Sequence, residues 1–259
     1  MRLTVVGNPD NRRVALFAAA AHRAGLPAPA VVAWRAVAAG EPVPLRPGSL
    51  VRVDSPGEDA EVDRLLRGAA QPAEHGEIVG GLAWYQGFGA ALGRIAAAAD
   101  AQGARLLADQ AETMVLFDKA ACHARLRRAG VAVPPALPGS PSGWAELRDW
   151  LAEVGWRRVF VKPRHGSSAS GVVALQLGSG GRLLATTSVE LSGGRLFNSL
   201  RVRRYHGEAD IAAIIDGLAP DGLHVERWFP KADLDGRVVD LRVVLVAGVM
   251  GWWALGGDA

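Results

Sequence analysis

At Trp156 the apolar pattern of this chain changes from the period of helices to the period of strands, which restricts the fold to a mixed α/β arrangement. After it come Arg158 to Lys162, Gly171 to Leu177, Leu183 to Leu191 and Arg195 to Tyr205, each bounded by glycine-rich turns. Connections this short predict an antiparallel meander, because parallel strands need a crossover of a dozen or more residues. A helix over Glu208 to Leu218 follows, then strands over His224 to Phe229 and Val238 to Val246.

Ahead of that point the pattern is βαβ-like. Leu3 to Val6 is an apolar run that ends at Gly7 and a polar Asn-Pro-Asp-Asn turn, and helical spacing from Arg12 to Arg23 stops at Gly25-Leu26-Pro27. Val31 to Trp34 and Leu50 to Val53 read as short buried strands, the second leading through Asp54-Ser55-Pro56-Gly57 into a helix from about Glu58 to Arg67. Further helices are predicted over Leu82 to Ala99, Lys119 to Arg128 and Trp144 to Val154, with Asp118 as the N-cap of the middle one. A rigid loop of proline, glycine and serine runs from Val133 to Ser142. The 259 residues are enough for two or three compact units.

Composition excludes several classes. With 49% hydrophobic and 21% charged residues the chain is globular rather than disordered. Its 29 basic residues nearly balance 26 acidic ones, so the formal charge of +3 does not indicate nucleic acid. The one cysteine, Cys122, rules out an internal disulfide and a multi-cysteine metal site and fits a reducing, cytoplasmic setting. The opening MRLTVVGNPDNRR has too short an apolar run for a signal peptide. The stretch from Val243, VVLVAGVMGWWALGG, is broken by glycines and reads as a strand pair rather than a membrane span.

Two segments carry chemistry. In Val159-Phe160-Val161-Lys162-Pro163 a lysine alternates with apolar residues at the end of a strand, and Arg164-His165-Gly166-Ser167-Ser168-Ala169-Ser170-Gly171 follows as a small-residue loop. An ammonium beside a loop whose N–H groups can approach an anion closely describes a phosphate clamp, although an ordinary hairpin with an exposed lysine has the same pattern. The spacing does not fit a Walker A loop, and no G-x-G-x-x-G sits on the first strand. The second segment, Val225-Glu226-Arg227-Trp228-Phe229-Pro230-Lys231, could offer an adenine edge main-chain hydrogen bonds and apolar walls, or be a plain amphipathic strand.

The order of these pieces resembles the ATP-grasp superfamily, most closely its RimK-like amino-acid ligase branch. The matching series is Phe117-Asp118-Lys119 opening a helix that ends in Ala129-Gly130-Val131-Ala132-Val133-Pro134; Phe160-Val161-Lys162-Pro163 with its loop; Val225 to Phe229; and Asp240-Leu241-Arg242. The resemblance covers about Met114 to Gly248. It implies a small pre-ATP-grasp α/β domain over residues 1–110 and an ATP-grasp domain over 111–259, with a central lobe at about 156–219 and a C-terminal lobe from about 220 that is incomplete. It further implies that Lys119 and Lys162 contact ATP phosphates while the loop holding His165, Gly166, Ser167, Ser168 and Gly171 closes over them. Glu226, Arg227, Trp228 and Phe229 would form the adenine hinge, Lys231 would contact ATP, Asp233 would reach the ribose, and Arg242 would face the transferred phosphate.

The family's reaction phosphorylates a carboxylate with ATP and then passes the acyl group to an amine, with Mg²⁺ held by an Asp or Glu and a Glu-x-Asn pair downstream. After Asp240 this chain has a single carboxylate side chain, Asp258, and no asparagine, so no metal ligands are assigned. Either the C-terminal lobe is truncated or the chain is a non-catalytic nucleotide-binding module, and the uncovered apolar end favours truncation. A third reading uses Arg201, Arg203 and Arg204 as a nucleic-acid face, but no aromatic residues interleave with them in a stacking pattern. Trp84 and Tyr85 before Gln86-Gly87-Phe88-Gly89 fit helix packing or a substrate entrance, Cys122 fits packing, and His22, His75, His206 and His224 show no ligand spacing. The carboxylate, the amine and the oligomeric state are not encoded in any motif.

Overall fold

The computed structural model describes residues 1–166, 169–239, 244–248 and 251–255. Its contacts divide the chain into a large unit, Met1–Arg227, and a small one, Trp228–Ala259.

The large unit opens with β1 (Arg2–Gly7), α1 (Arg12–Arg23), β2 (Ala30–Ala33), α2 (Trp34–Ala38), β3 (Ser49–Val53), α3 (Ala60–Arg67), α4 (Gly81–Gln102) and β4 (Arg105–Leu106). The strands form one parallel sheet in the order β2-β1-β3-β4, with Val5 and Val6 of β1 and Val51 of β3 fully buried. Apolar residues on both faces are what a parallel strand covered by helices requires. The expected strand over Val31 to Trp34 stops one residue early: Trp34 opens α2, buries its indole and donates Nε1–H to the Asp54 carbonyl at 2.8 Å. A long-range hydrogen bond thus overrides the strand preference of an aromatic residue.

Helix α3 begins where Asp59 accepts from the N–H groups of Glu61 and Val62, so the predicted start at Glu58 lies two residues early. Helix α4 packs on α3 at glycine distance. A Cβ on Gly87 would lie 1.9 Å from the Leu66 carbonyl oxygen, so only hydrogen fits at that crossing. The first N–H groups of α4 are satisfied from far along the chain, Gly81 N and Leu82 N donating to the Asp221 carboxylate at 2.8 and 3.1 Å.

Next come α5 (Gln110–Phe117), α6 (Lys119–Arg128) and α7 (Trp144–Glu153). Helix α5 was not expected, and its lack of any buried residue explains why no apolar stripe announced it. The second layer contains β5 (Arg158–Pro163), β6 (Val173–Leu177), β7 (Leu183–Ser192), β8 (Arg195–Tyr205), α8 (Glu208–Leu218) and β9 (Leu223–Arg227). These strands form a five-stranded antiparallel sheet ordered β8-β7-β6-β5-β9. The meander is therefore as expected, with β9 added beside β5.

One face of that sheet carries Val159, Val161, Val173, Leu175, Leu223 and Val225, all essentially inaccessible, and α7 and α8 cover it with Leu147, Leu151, Ile211, Ile214 and Ile215. Asp216 of α8 ties the two helices by accepting from Trp144 N at 2.6 Å. Thr187 pairs with Arg203 and Val189 with Asn198, so Ser188 faces residues 199–202. This bulge interrupts the two-residue alternation of β8 between Asn198 and Arg203. Arg203 pairs with Glu190 at 2.5 Å.

The small unit contains two hairpins. In the first, β10 (Asp233–Leu234) pairs with β11 (Arg237–Val238) across Asp235-Gly236, both at positive φ as a type I′ turn demands. In the second, β12 (Val244–Gly248) pairs with β13 (Gly251–Leu255), the strand pair expected from the apolar stretch. The anticipated strand over Val238 to Val246 is thus divided between β11 and β12, and residues 240–243 lie outside the described ones. No described helix is long and apolar enough to cross a membrane.

Candidate functional site

Residues directly paired in an antiparallel sheet share a face, so the register of β5 against β9 sets the site. Lys162 pairs with His224 and Phe160 with Glu226, while the residues between them belong to the core face. Lys162, His224 and Glu226 therefore meet on the side away from α7 and α8. The Lys162 ammonium contacts one oxygen of the Glu226 carboxylate, and His224 Nε2 lies 2.8 Å from the other. Burial alone would raise the Glu226 pKa, but the hydrogen bonds from His224 and Lys162 prevail and bring it down to about 2. Glu226 is an anion shared between two donors.

The main chain of Glu226 is committed as well. Arg164 N donates to Gly222 O at 2.9 Å, which makes the even-numbered residues of β9 the members that bond to β5. The outer edge of β9 uses odd-numbered residues: Leu137 N donates to Val225 O at 2.9 Å, and Arg227 N to Pro135 O at 2.8 Å. An adenine hinge cannot be read from Glu226 N–H and C=O, which face β5. Glu226 offers its carboxylate instead.

Helix α6 covers this polar face. Asp118 is its N-cap, as expected, with Oδ1 accepting from Ala120 N and Ala121 N at 3.0 Å each. Lys119, the next residue, donates Nζ–H to the Gly166 carbonyl at 3.0 Å. Burial, then the nearby Lys162 ammonium, push the Lys119 pKa below the ordinary lysine value against the pull of Glu226 and Asp118. The His123 ring of α6 lies 5.3 Å from that of His224 and its Nε2 contacts the Pro134 carbonyl at 2.7 Å.

The segment after β5 is stitched to the start of α6. Arg164 forks onto Asp118, with Nε–Oδ1 at 2.9 Å and Nη2–Oδ2 at 2.7 Å. His165 stacks on Tyr85 at 4.2 Å, and Tyr85 donates its hydroxyl to the Met114 carbonyl at 3.1 Å. Among the described residues His165 Nδ1 is buried without a hydrogen-bond partner, and burial lowers the pKa of the ring. Trp84 stacks with Phe88 and Phe117, and Gly87 serves the α3–α4 crossing.

The fold thus brings Lys119, Lys162, His165, Gly166 and Glu226 into one region. Gly171, at φ 73°, closes the loop where a Cβ would meet Pro163 at 2.5 Å. Arg227 ends β9 with its side chain exposed. Trp228, Phe229, Lys231 and Asp233 belong to the small unit, where Asp233 Oδ1 accepts from Gly236 N at 3.3 Å in the β10–β11 hairpin. Ser167, Ser168 and Arg242 lie outside the described residues. Sequence reasoning missed Arg164 and His224. His224 had a legible signal, since it precedes Glu226 by two residues on one strand and therefore shares its face. The pairing of Arg164 with Asp118, 46 residues apart, had none.

A cavity of about 540 Å³ borders the loop, lined among others by Arg13, Glu58, Trp84, His165, Gly166 and Asp221. Among the described residues, no group of three or more His, Cys, Asp or Glu is arranged to hold a metal ion.

No protein-family model matches the chain, and no curated protein matches it. Among solved structures it is similar to D-cycloserine synthetase DcsG, at 18% identity and a TM-score of 0.49 over 88% of this chain and 59% of that one. It is also similar to the ATP-grasp ligase PsnB complexed with precursor peptide PsnA2 and AMPPNP, at 17% and 0.45 over 99% and 76%. A third similarity is to D-alanyl-alanine synthetase A from Vibrio cholerae, at 13% and 0.37 over 96% and 68%. The chain spans only 59% of the length of DcsG. TM-scores below 0.5 assign no function, so a functional reading rests on the site and on motif order.

Proposed function

We propose that this chain binds ATP in the manner of an ATP-grasp protein, and that it serves a carboxylate–amine ligase of the RimK-like type. The observation that carries the reading is that Lys119, at the start of α6, donates to the carbonyl of Gly166 in the loop that follows Lys162 on β5. An ammonium such as that of Lys119, partly removed from water, is costly to keep charged, and a polyanion relieves that cost. In phosphoryl transfer the useful protein contribution is positioning and charge neutralisation, which fixed ammonium groups supply.

In this reading Lys119 and Lys162 neutralise the phosphates, and His165, Gly166 and Gly171 belong to the loop facing them, together with Ser167 and Ser168. Glu226 and Arg227 flank the base, and motif order adds Trp228, Phe229, Lys231, Asp233 and Arg242. The domain division is residues 1–110 and 111–259, with lobes at about 156–219 and from about 220. A substrate carboxylate oxygen would attack the γ-phosphorus, releasing ADP, and an amine would displace phosphate from the acyl phosphate to form an amide. Magnesium supplies further charge neutralisation in such reactions. Among the described residues no carboxylate set fits it, so no step is assigned through it. A cytoplasmic setting suits the lone Cys122.

Among the described residues no such carboxylate set is found, and a second reading is a nucleotide-binding module without turnover. Equilibrium titration with ATP tests the shared premise. Lys162→Ala and Lys119→Ala are each expected to weaken binding by about 10-fold or more, the loss of a charge-assisted contact. Unchanged affinity in both would sink the assignment. ADP release in the presence of candidate carboxylates separates ligase from module.

A further inference from the structure

In phosphoryl transfer from ATP, Lys119 and the loop after β5 would approach the same phosphates from two elements far apart in the chain. Asp118 and Arg164 sit where those elements join. The Asp118 side chain is 8% exposed, yet it receives two main-chain N–H groups of α6 and both Nε and Nη2 of Arg164. Burial alone would raise its pKa, but the Arg164 fork and the Ala121 N–H override that and hold it below the usual carboxylate value. Around this pair the main chains cross-link: Lys119 N donates to Arg164 O at 2.9 Å, and Gly166 N to Phe117 O at 3.2 Å. Lys119 Nζ closes the set on Gly166 O.

Each bond alone is ordinary. Together they fix the start of α6 and the first residues of the loop as one body, with the ion pair at its centre. A helix N-cap needs only one acceptor oxygen, and Asn would serve equally. The second oxygen and the planar fork of Arg164 are surplus to capping, and a bidentate pair adds directional restraint that a Lys–carboxylate pair lacks.

We propose that Asp118 and Arg164 are positioning residues that lock Lys119 and the two residues after Arg164, His165 and Gly166, into the spacing required to receive the β- and γ-phosphates of a nucleotide. The proposal rests on the ATP-binding reading and extends it to two residues that touch no phosphate themselves. Asp118→Asn preserves the cap and removes the ionic fork. Arg164→Lys preserves the charge, removes the fork, and changes a side chain that is 40% exposed, so the fold survives it.

The experiment is equilibrium titration of the wild type, both single variants and the double variant with ATP and, separately, with AMP, alongside urea denaturation of each. We expect ATP binding to weaken about 10-fold in either variant, AMP binding to change less than about 2-fold, and the double variant to be no worse than the weaker single one, as members of one unit behave. Equal losses for ATP and AMP would assign the pair a merely structural role and overturn the proposal. So would wild-type ATP affinity in both single variants. If the wild-type chain itself fails to bind ATP, the ATP reading falls and takes this proposal with it, an outcome distinct from the other two.

Discussion

Replacing Glu226 by Gln tests the electrostatic centre of the site directly. The substitution keeps the shape, removes the charge shared between Lys162 and His224, and replaces one accepting oxygen with a donating NH₂. The carboxyl stands at about 2 in the folded chain against an ordinary value of 4.5. A folded-state pKa below the unfolded one means the anion stabilises the fold: the contribution is fully present above the unfolded value and disappears as the pH falls through the folded one. The difference is worth about 3 kcal/mol at pH 7, falling to about 2 kcal/mol at pH 3.5 by the same proton linkage. Solvent screening takes little of this, because the Glu226 side chain is 15% exposed and that of Lys162 23%.

Urea denaturation of wild type and Glu226→Gln at pH 7, 5 and 3.5 reads the difference free of the titrating groups remote from Glu226, since those are common to both proteins; what it reports is the Lys162–Glu226–His224 cluster as a unit. The expected gap is largest at pH 7 and 5 and narrower at pH 3.5. A gap below about 0.5 kcal/mol at pH 7 would show that the charge does not hold Lys162 and His224 as described, that being the range of an ordinary surface substitution. A gap that does not narrow in acid would refute the linkage argument.

Two further outcomes follow from the packing. Gly87→Ala sets a gain in helix propensity of about 1 kcal/mol against a Cβ at 1.9 Å from the Leu66 carbonyl, so the clash should win and cost about 3 kcal/mol in chemical denaturation; a stabilised variant would mean that α3 and α4 do not approach so closely. Ile214→Ala, at a fully buried position of α8, should cost about 2–5 kcal/mol. A loss near 0.5 kcal/mol in thermal or urea melts would place that side chain outside the core.

Local sequence determined the elements that depend on neighbours in the chain. The helix Lys119–Arg128 and its Asp118 cap, the helix Glu208–Leu218, and the meander from Arg158 to Tyr205 follow from period, capping and turn chemistry, all of which act over a few residues. So does the face that Lys162 occupies. Elements whose ends depend on distant partners did not follow. Trp34 leaves its strand for a bond to Asp54, α5 has no apolar stripe to announce it, and the alternation of β8 fails at the bulge opposite Ser188.

The candidate site divides in the same way. Lys119, Lys162 and Glu226 stand out in the sequence as charged residues at motif positions, but their chemistry does not. Tertiary structure decided that Glu226 presents a carboxylate to Lys162 and His224 while its main chain faces β5. It also decided that Arg164 forks onto Asp118 across 46 residues of chain. The physical reason is that hydrogen-bond period and side-chain alternation are properties of the local backbone. The partner of a charge is set by which strand lies alongside and which helix covers the face, and those are fixed only when the two layers pack.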